Sequence, residues 1–305
     1  MTETPAPITQ NRPLEGVLWM LAAGLTFVAV NGTVRWLGTD LPAAQSAFLR
    51  FAFGVVILLP TLAGVLRAGV PRGAWPLVAG RGAIHTVAVI CWFYAMARLP
   101  VAEVTAIGFL NPVCVTLGAV VFFGEKLAFR RIVAVLVALL GALIVLRPGL
   151  REIEPGHLAQ LLAAICFGGS YLFAKRLSQM VGAATVVALM SLSVTLGLLP
   201  FALAAWVPVT PTQLAALAVV AGAATVGHYC MTRAFIAAPM AVTQPVTFLQ
   251  LIWASLLGVL AFAEPVDLYV LLGGGVMIAA ISYITWRETV LRGRAVTPPP
   301  DAPRV

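Results

Sequence analysis

Long runs of apolar residues fill most of the chain, and short clusters of glycine, proline or charged residues separate them. An α-helix needs about 20 apolar residues to cross the hydrocarbon core of a bilayer. Transmembrane β-strands would instead show short segments of alternating polarity, and the sequence has none. The pattern predicts an all-α polytopic membrane protein of ten transmembrane helices. The predicted spans are 16–36, 43–66, 74–97, 101–122, 131–147, 157–175, 183–206, 213–235, 241–262 and 267–287.

The composition agrees with a membrane protein. Apolar residues make up 61% of the chain, charged residues only 10%, and the mean hydropathy is +1.00. Soluble proteins carry about 25% charged residues, which a chain of this size needs to cover its surface. The four cysteines lie inside apolar runs without a CxxC motif, so we interpret them as buried hydrophobic residues. The polar, proline-rich ends predict disordered cytoplasmic termini at 1–15 and 289–305.

Two segments of the chain match each other. Displacing the sequence by 139 residues aligns 95–125 with 234–264, so that a proline, a phenylalanine and the glutamates Glu125 and Glu264 coincide. Each half holds five spans, an odd number, so the second half enters the membrane from the opposite side. Inverted repeats of this kind are typical of secondary transporters that bind their substrate near the middle of the membrane.

The chain therefore divides into two repeats. The first five-helix repeat covers 16–148, a linker covers 149–156, and the second, inverted repeat covers 157–288. Inversion places Glu125 and Glu264 at opposite faces, about 30 Å apart, which excludes a catalytic pair. We interpret both glutamates as helix-end residues that help to gate the two sides of a carrier. Glu264 has no basic neighbour in its own loop, so its partner stays open.

Basic residues predict the orientation. If the N-terminus is cytoplasmic, thirteen lysine and arginine residues fall on the cytoplasmic side and five on the other, which agrees with the positive-inside rule. An even number of spans returns the C-terminus to the same side. The five residues assigned to the outer side are Arg35, Arg50, Arg98, Arg147 and Arg151.

Two stretches carry a family resemblance: FYAMARLPVAEVTAIGFLNPVCVTLGAVVFFGEK at 93–126 and ALLGALIVLRPG at 138–149. They resemble the drug/metabolite transporter superfamily, in its EamA-type branch, and the likeness covers about 16–288. It implies a bacterial inner-membrane carrier, often an exporter of amino acids or related metabolites. It also implies a basket of helices around a central cavity lined by the first, third, fourth, sixth, eighth and ninth spans. The second half departs from the family pattern, with EPVD at 264–267.

The third span offers a polar stripe. Arg81, His85 and Trp92 share one helical face, where Arg81 or His85 could hold a carboxylate and Trp92 could pack against a substrate side chain. The competing interpretation is that Arg81 extends to the membrane interface and that Trp92 belongs to the interfacial aromatic belt.

The fourth and ninth spans carry amides at matching positions. Asn111 precedes a mid-span proline, which removes a helical hydrogen bond and predicts a broken helix, the place where transporters hold substrates. Helix packing alone is the alternative reason for that proline. Gln250 aligns with Asn111, and Trp253 lies three residues further on the same face.

Three more residues complete the candidate binding site. Asn31 in the first span aligns with Tyr171 in the sixth, so the two are predicted on facing walls of the cavity. His228 in the eighth span is either a cavity residue or an interhelical hydrogen bonder.

Proton coupling is left open. None of the eleven acidic residues is predicted at mid-membrane, and Glu103 comes nearest. Glu103, His85 or His228 could bind a proton, whereas facilitated or exchange transport needs no titrating group.

The sequence contains no catalytic, nucleotide-binding or metal-binding motif and no repeated filter motif, so we predict neither an enzyme nor a cofactor, and a channel is a weak competitor. We predict a monomeric exporter of small metabolites, most of all amino acids, that works by alternating access. Its partners are a zwitterionic or carboxylate-bearing small molecule and the lipid bilayer, not nucleic acid. Other substrate classes, such as nucleosides or S-adenosylmethionine, are the alternative.

Overall fold

The computed structural model describes residues 12–123, 129–150, 152–177, 180–238, 246 and 249–296. Within these ranges the chain is helical and contains no strand. The helices are α1 (Pro13–Leu37), α2 (Ala43–Ile57), α3 (Leu59–Ala68), α4 (Trp75–Met96), α5 (Val101–Gly108), α6 (Asn111–Phe123), α7 (Phe129–Leu146), α8 (Pro155–Leu177), α9 (Ala183–Ala204), α10 (Pro211–Ala237), α11 (Leu249–Phe262) and α12 (Leu268–Val296).

These helices account for the ten predicted membrane crossings. Segments of α1, α4, α8, α9 and α10 are each long and apolar enough to span a bilayer, and α2 with α3 does so as a bent pair. Shorter apolar stretches at the α5–α6 junction and in α7, α11 and α12 supply the other four. Large apolar side chains such as Leu196, Val219 and Leu260 are exposed, as lipid-facing residues are. The structure therefore confirms an all-α polytopic membrane protein.

Local sequence signals set the helix ends. Prolines occupy the first turn of α1, α3, α4 and α10, where a missing N–H costs nothing. Thr210 and Gln213 form a reciprocal capping box at the start of α10. Gly38 and Gly69 follow α1 and α3 with positive φ angles of 60° and 80°, which glycine adopts without strain. The last helix extends to Val296, several residues beyond the predicted span end at 287.

Two spans are interrupted. The second span bends by 69° at Leu58, two residues before Pro60, whereas the sequence predicted one continuous span over 43–66. The fourth span breaks at Phe109 and Leu110, whose N–H groups bond the carbonyls three residues back instead of four. Pro112 lies just after this break and lacks a backbone donor. The corresponding part of the ninth span, 241–248, lies mostly outside the described residues.

The helices pack in pairs that the inverted repeat relates to each other. The repeat exchanges α1 with α8 and α4 with α10. In the structure α1 packs on α10 and α4 packs on α8, which are the two equivalent pairs. The exchange partners α2 and α9 pack on each other, and so do α7 and α12. The two halves are therefore intertwined around a shared centre.

We define the membrane face where α1 begins as the N-terminal face and the other as the opposite face. The chain reaches the opposite face at the end of α1, the start of α5, the end of α7, the start of α8 and the turn between α11 and α12. These five points therefore come together on one side of the membrane.

The contact between α7 and α12 depends on two glycines. A Cβ atom added at Gly273 would lie 2.5 Å from the Gly141 carbonyl oxygen, and one added at Gly141 would lie 2.7 Å from the Gly273 oxygen. Close backbone approach at small residues is the usual way in which helices associate in membranes.

Replacing Gly273 with alanine should lower thermal stability in detergent, because the new methyl group meets backbone that cannot rotate away. We expect a loss on the order of 1–3 kcal/mol, as overpacked helix contacts show. Gly275→Ala is the matched control, since Gly275 lies on the same helix with nothing within 4 Å of the added Cβ. Equal melting temperatures for the two variants would contradict this packing.

Candidate functional site

A histidine lies at the centre of the helix bundle. His85 of α4 is 8% exposed, and its Nδ1 lies 2.9 Å from Ser170 Oγ on α8. The aromatic rings of Phe167 and Phe51 stand edge-on to the imidazole at centroid distances of 5.1 and 6.0 Å. The polar contact satisfies one ring nitrogen, and the aromatic contacts fix the ring plane where α2, α4 and α8 meet.

Two arginines surround this histidine inside the membrane. Arg81 is 6% exposed, donates from Nη1 to the Val186 carbonyl at 3.2 Å, and leaves its buried Nε without a partner among the described residues. Arg50 lies in the middle of α2, with its guanidinium carbon 4.0 Å from the centroid of the Phe51 ring. The charges of both arginines reach His85. Assignment of Arg50 to the outer side was therefore wrong, because it is a membrane-embedded residue.

Tyr171 and His228 present accessible side chains to the same region. Tyr171 is 48% exposed and lies within electrostatic reach of the buried Arg81. His228 is exposed, packs edge-on against Phe27 at 5.1 Å, and feels the charges of both arginines. Their interaction with the buried arginines places both side chains in the same region as His85. We call Arg50, Arg81, His85, Tyr171 and His228 the central cluster.

The remaining predicted binding residues have different surroundings. Asn31 is buried and donates from Nδ2 to Thr105 Oγ1 at 3.3 Å, so it joins α1 to α5. Trp92 packs edge-on against Phe93 at 5.1 Å within the apolar core of the bundle. Tyr171 is half exposed whereas Asn31 is buried, so the two aligned positions have unequal environments.

Asn111 and Trp253 each have a buried atom with no hydrogen-bond partner. Asn111 Oδ1 is an acceptor, Trp253 Nε1 is a donor, and neither is satisfied among the described residues. Gln250 is half buried beside Trp253 on α11. Native structures rarely leave such atoms unpaired, because each one costs about 1–3 kcal/mol of desolvation. Both atoms can therefore bond to a group outside the described residues.

Glu264 has a basic partner far away in the sequence. Arg35 Nε donates to Glu264 Oε1 at 2.9 Å, and the Val101 N–H at the start of α5 donates to Oε2 at 3.0 Å. Arg35 Nη1 also donates to the Ala97 carbonyl at 2.9 Å. The pair, which we call the Arg35–Glu264 clasp, joins α1, α5 and the end of α11 at the opposite face. Glu125, its predicted counterpart on the other side, lies outside the described residues.

Further polar contacts join the two halves at that face. Arg147 at the end of α7 pairs with Asp267 at the start of α12. His157 Nε2 lies 2.7 Å from Glu103 Oε1, with both side chains almost fully buried. Gln45 donates to and accepts from the backbone of Val207. Each of these contacts links a residue of the first half to one of the second.

A separate apolar cavity of about 960 Å³ lies between α4, α6 and α8. Its lining includes Ile84, Leu117 and Phe173, with Arg176 at one end, and none of the predicted site residues. Ile84 is three residues from Arg81 on α4, and Leu172 follows Tyr171 on α8, so the cavity adjoins the central cluster without sharing a residue with it. No group of three or more metal-ligating side chains occurs in the described ranges.

Sequence reasoning missed Arg50, Arg35 and His157. Arg50 carried a usable signal, because a charge eight residues inside a predicted span is not in a loop. Arg35 and Glu264 are 229 positions apart, and no local pattern connects them. His157 lies 54 positions from its partner Glu103, so no local pattern indicated that pair.

Inverted five-helix halves around a polar centre define the class of protein: a multi-pass membrane protein with the architecture of a secondary transporter. The model of the EamA-like transporter family matches residues 14–147 and again 154–286. The chain belongs to this family, and the predicted resemblance is confirmed.

Relatives over nearly the full length carry different substrates. A riboflavin transporter of Rhizobium johnstonii is 30% identical, covering 94% of this chain and 96% of its own. An S-adenosylmethionine uptake transporter of Rickettsia prowazekii is 25% identical, covering 90% and 94%. A pseudopaline exporter of Pseudomonas aeruginosa is 26% identical, covering 87% and 94%.

A solved protein crystal structure shares the fold. It has a TM-score of 0.59 with 18% sequence identity, and the match covers 94% of this chain and 99% of that one. The family match and the relatives named as transporters place the chain among small-molecule transporters, which points away from an enzyme.

Proposed function

We propose that the protein is a secondary transporter that exports carboxylate-bearing metabolites, most of all amino acids, by alternating access. The inverted halves supply the means, because exchanging their conformations opens the centre to one face and then to the other. The central cluster supplies the binding site. The enclosed bundle of ten crossings supports function as a monomer.

The buried guanidinium of Arg81 carries the proposal. An ionised side chain inside a membrane is costly, and such residues mark substrate pathways unless they are paired. Neither Arg81 nor Arg50 forms an ion pair with a carboxylate in the part of the chain that the structure describes. Two positive charges without a protein counter-charge favour an anionic group on the substrate. A carboxylate would accept hydrogen bonds from a guanidinium in a defined geometry.

A second candidate is a metabolite that combines a carboxylate with an aromatic ring, of which S-adenosylmethionine is one. Phe51, Phe167 and Phe27 contact the histidines of the central cluster, so a planar heterocycle has aromatic partners there. A relative named as an S-adenosylmethionine uptake transporter supports this candidate. Uptake and export both occur among the relatives, so export remains part of the proposal.

The proposed location is the inner membrane, with both termini cytoplasmic. Removing Arg50 from the outer set leaves four basic residues on that side against thirteen on the other. The positive-inside bias therefore becomes stronger than the sequence count suggested. In this orientation the opposite face is external, and the Arg35–Glu264 clasp closes it.

Gating is proposed for the clasp. Arg35 and Glu264 side chains are only 23% and 9% exposed, so their contact lies largely out of water. Opening the opposite face would separate them and hydrate both charges, which offsets the lost attraction. The clasp can therefore hold one face closed without making the opening prohibitive.

Reconstituted liposomes test the transport site through counterflow, the uptake of labelled compound driven by unlabelled compound inside. The panel comprises amino acids, S-adenosylmethionine, riboflavin and an uncharged nucleoside. We expect counterflow of at least one carboxylate compound. Arg81→Gln and Arg50→Gln should each raise its KM about 10- to 150-fold, since a charge-assisted hydrogen bond contributes about 1.5–3 kcal/mol.

Arg98→Gln is the matched control, because Arg98 is an exposed arginine that bonds its own helix at Tyr94. It should transport as the wild type does. Flux confined to the uncharged nucleoside and unchanged by Arg81→Gln would contradict the proposal. Passive flux without counterflow would indicate a channel.

Replacing Trp253 with phenylalanine tests whether its unpaired N–H binds substrate. The variant removes an unsatisfied buried donor, so its melting temperature should equal or exceed that of the wild type. Transport should nevertheless fall, with KM raised several-fold. Trp36→Phe is the control, since Trp36 is an exposed tryptophan at the end of α1. Unchanged KM in Trp253→Phe would remove this residue from the site.

A further inference from the structure

The Glu103–His157 pair is a buried titratable pair that the transport site does not use. Glu103 belongs to α5 in the first half and His157 to α8 in the second. Their side chains are 3% and 0% exposed, and Oε1 and Nε2 are 2.7 Å apart. A carboxylate and an imidazole at this distance can share a proton, and either can hold it.

The backbone of Glu154 sets the state of the imidazole. The Glu154 N–H lies 3.0 Å from His157 Nδ1 and donates to it, so the ring proton resides on Nε2 and faces Glu103. The Glu154 carbonyl oxygen lies 3.3 Å from the same Nδ1, but a proton on Nδ1 would face the donating Glu154 N–H. A second proton is therefore better placed on the Glu103 carboxylate.

A cavity connects the pair to the opposite face. It measures about 200 Å³, enough for several water molecules, and Glu103, Ser255, Glu264 and Asp267 are among its lining residues. Glu264 and Asp267 are matched by arginines, which do not change charge in the physiological range. Glu103 faces an imidazole, the side chain that ordinarily changes charge near neutral pH.

The neighbouring charged groups define the electrostatic setting of the pair. The helix α5 packs against α1, α4, α7, α8, α11 and α12. Among the described residues at the ends and turns of these helices, the charged and titratable groups on the same face are Arg35, Asp40, Arg98, Arg147, Glu152, Glu154, Glu264, Asp267 and Tyr269. Arg98 and Glu154 are exposed, Arg35 and Glu264 form the clasp, and Arg147 pairs with Asp267 and stacks on Tyr269.

We propose that the Glu103–His157 pair binds the proton that couples transport to a pH gradient. A proton from cavity water adds to the Glu103 carboxylate, and the charge of the pair rises by one unit. Because the pair bridges the two halves, its charge determines the free energy of burying their interface. The ionised pair favours a hydrated, open face, and the protonated pair favours a closed face. This inference rests on the proposed transport function.

Infrared pH-difference spectroscopy of the purified full-length protein tests proton binding without requiring any substrate. The wild type should show the carbonyl stretch of a buried carboxylic acid that appears as the pH falls. Glu103→Gln should abolish that band, and His157→Gln should move its midpoint. Glu152→Gln, which alters an exposed carboxylate on the same face, should leave it unchanged. A band that persists in Glu103→Gln, or its absence from the wild type, would overturn the proposal.

Liposomes then test the coupling with a labelled amino-acid mixture and a trapped pH dye. Wild-type protein should accumulate label in response to a pH gradient and move protons with it. Glu103→Gln should lose gradient-driven accumulation while retaining counterflow, because exchange needs no net proton movement. Gradient-driven accumulation at the wild-type rate in Glu103→Gln would overturn the coupling. Absence of all flux in the wild type would instead contradict the proposed function, and the infrared titration would still decide whether the pair binds a proton.

Discussion

A charged side chain inside a bilayer needs a partner, and the arrangement of this protein follows from how its charges meet that requirement. At the opposite face the charges are paired across the two halves, as in the Arg35–Glu264 clasp and the Arg147–Asp267 contact. At the centre Arg50 and Arg81 have no counter-charge among the described residues. The paired charges join the two halves, and the unpaired ones lie at the proposed substrate site.

The inverted repeat explains why these pairs cross from one half to the other. Helices related by the repeat lie antiparallel in the membrane, so the end of a helix in one half meets the start of a helix in the other. Glu264, which drew attention as the counterpart of Glu125, contacts Arg35 and caps α5 through the Val101 N–H. A carboxylate at that position thus serves as an ion-pair partner and as a helix cap at once.

Much of the fold was predicted from the lengths of the apolar runs, because each membrane crossing needs a run of about the same length. Pro112 likewise predicted the broken fourth span, since proline removes a helical hydrogen bond at a known place. The bend at Leu58 was not predicted, although Pro60 carries the same kind of signal. Contacts between residues far apart in the sequence could not be predicted, because Arg35 and Glu264 come together only through tertiary packing.

Only some residues of the candidate site were singled out from the sequence, for a related reason. Arg81, His85, Tyr171 and His228 were found because a polar residue within an apolar span is conspicuous. Arg50 was counted on the outer side, since a count of charges by side does not measure depth in the membrane. Relatives with this fold are named for riboflavin, S-adenosylmethionine and pseudopaline, so the fold alone does not determine the substrate. The side chains at the centre must do so.

The central claim is that the opposite face opens during transport by separating the Arg35–Glu264 clasp. Both residues can be replaced by cysteine in a chain whose four native cysteines are changed to alanine. A short bis-methanethiosulfonate reagent then joins the two cysteines, because each thiolate displaces a methanesulfinate and forms a reducible disulfide with the linker. We predict that the cross-linked protein shows no counterflow of any compound in the panel and that cleavage by a reductant restores the flux of the same sample. Counterflow by the cross-linked protein at the rate of the cleaved protein would contradict the account.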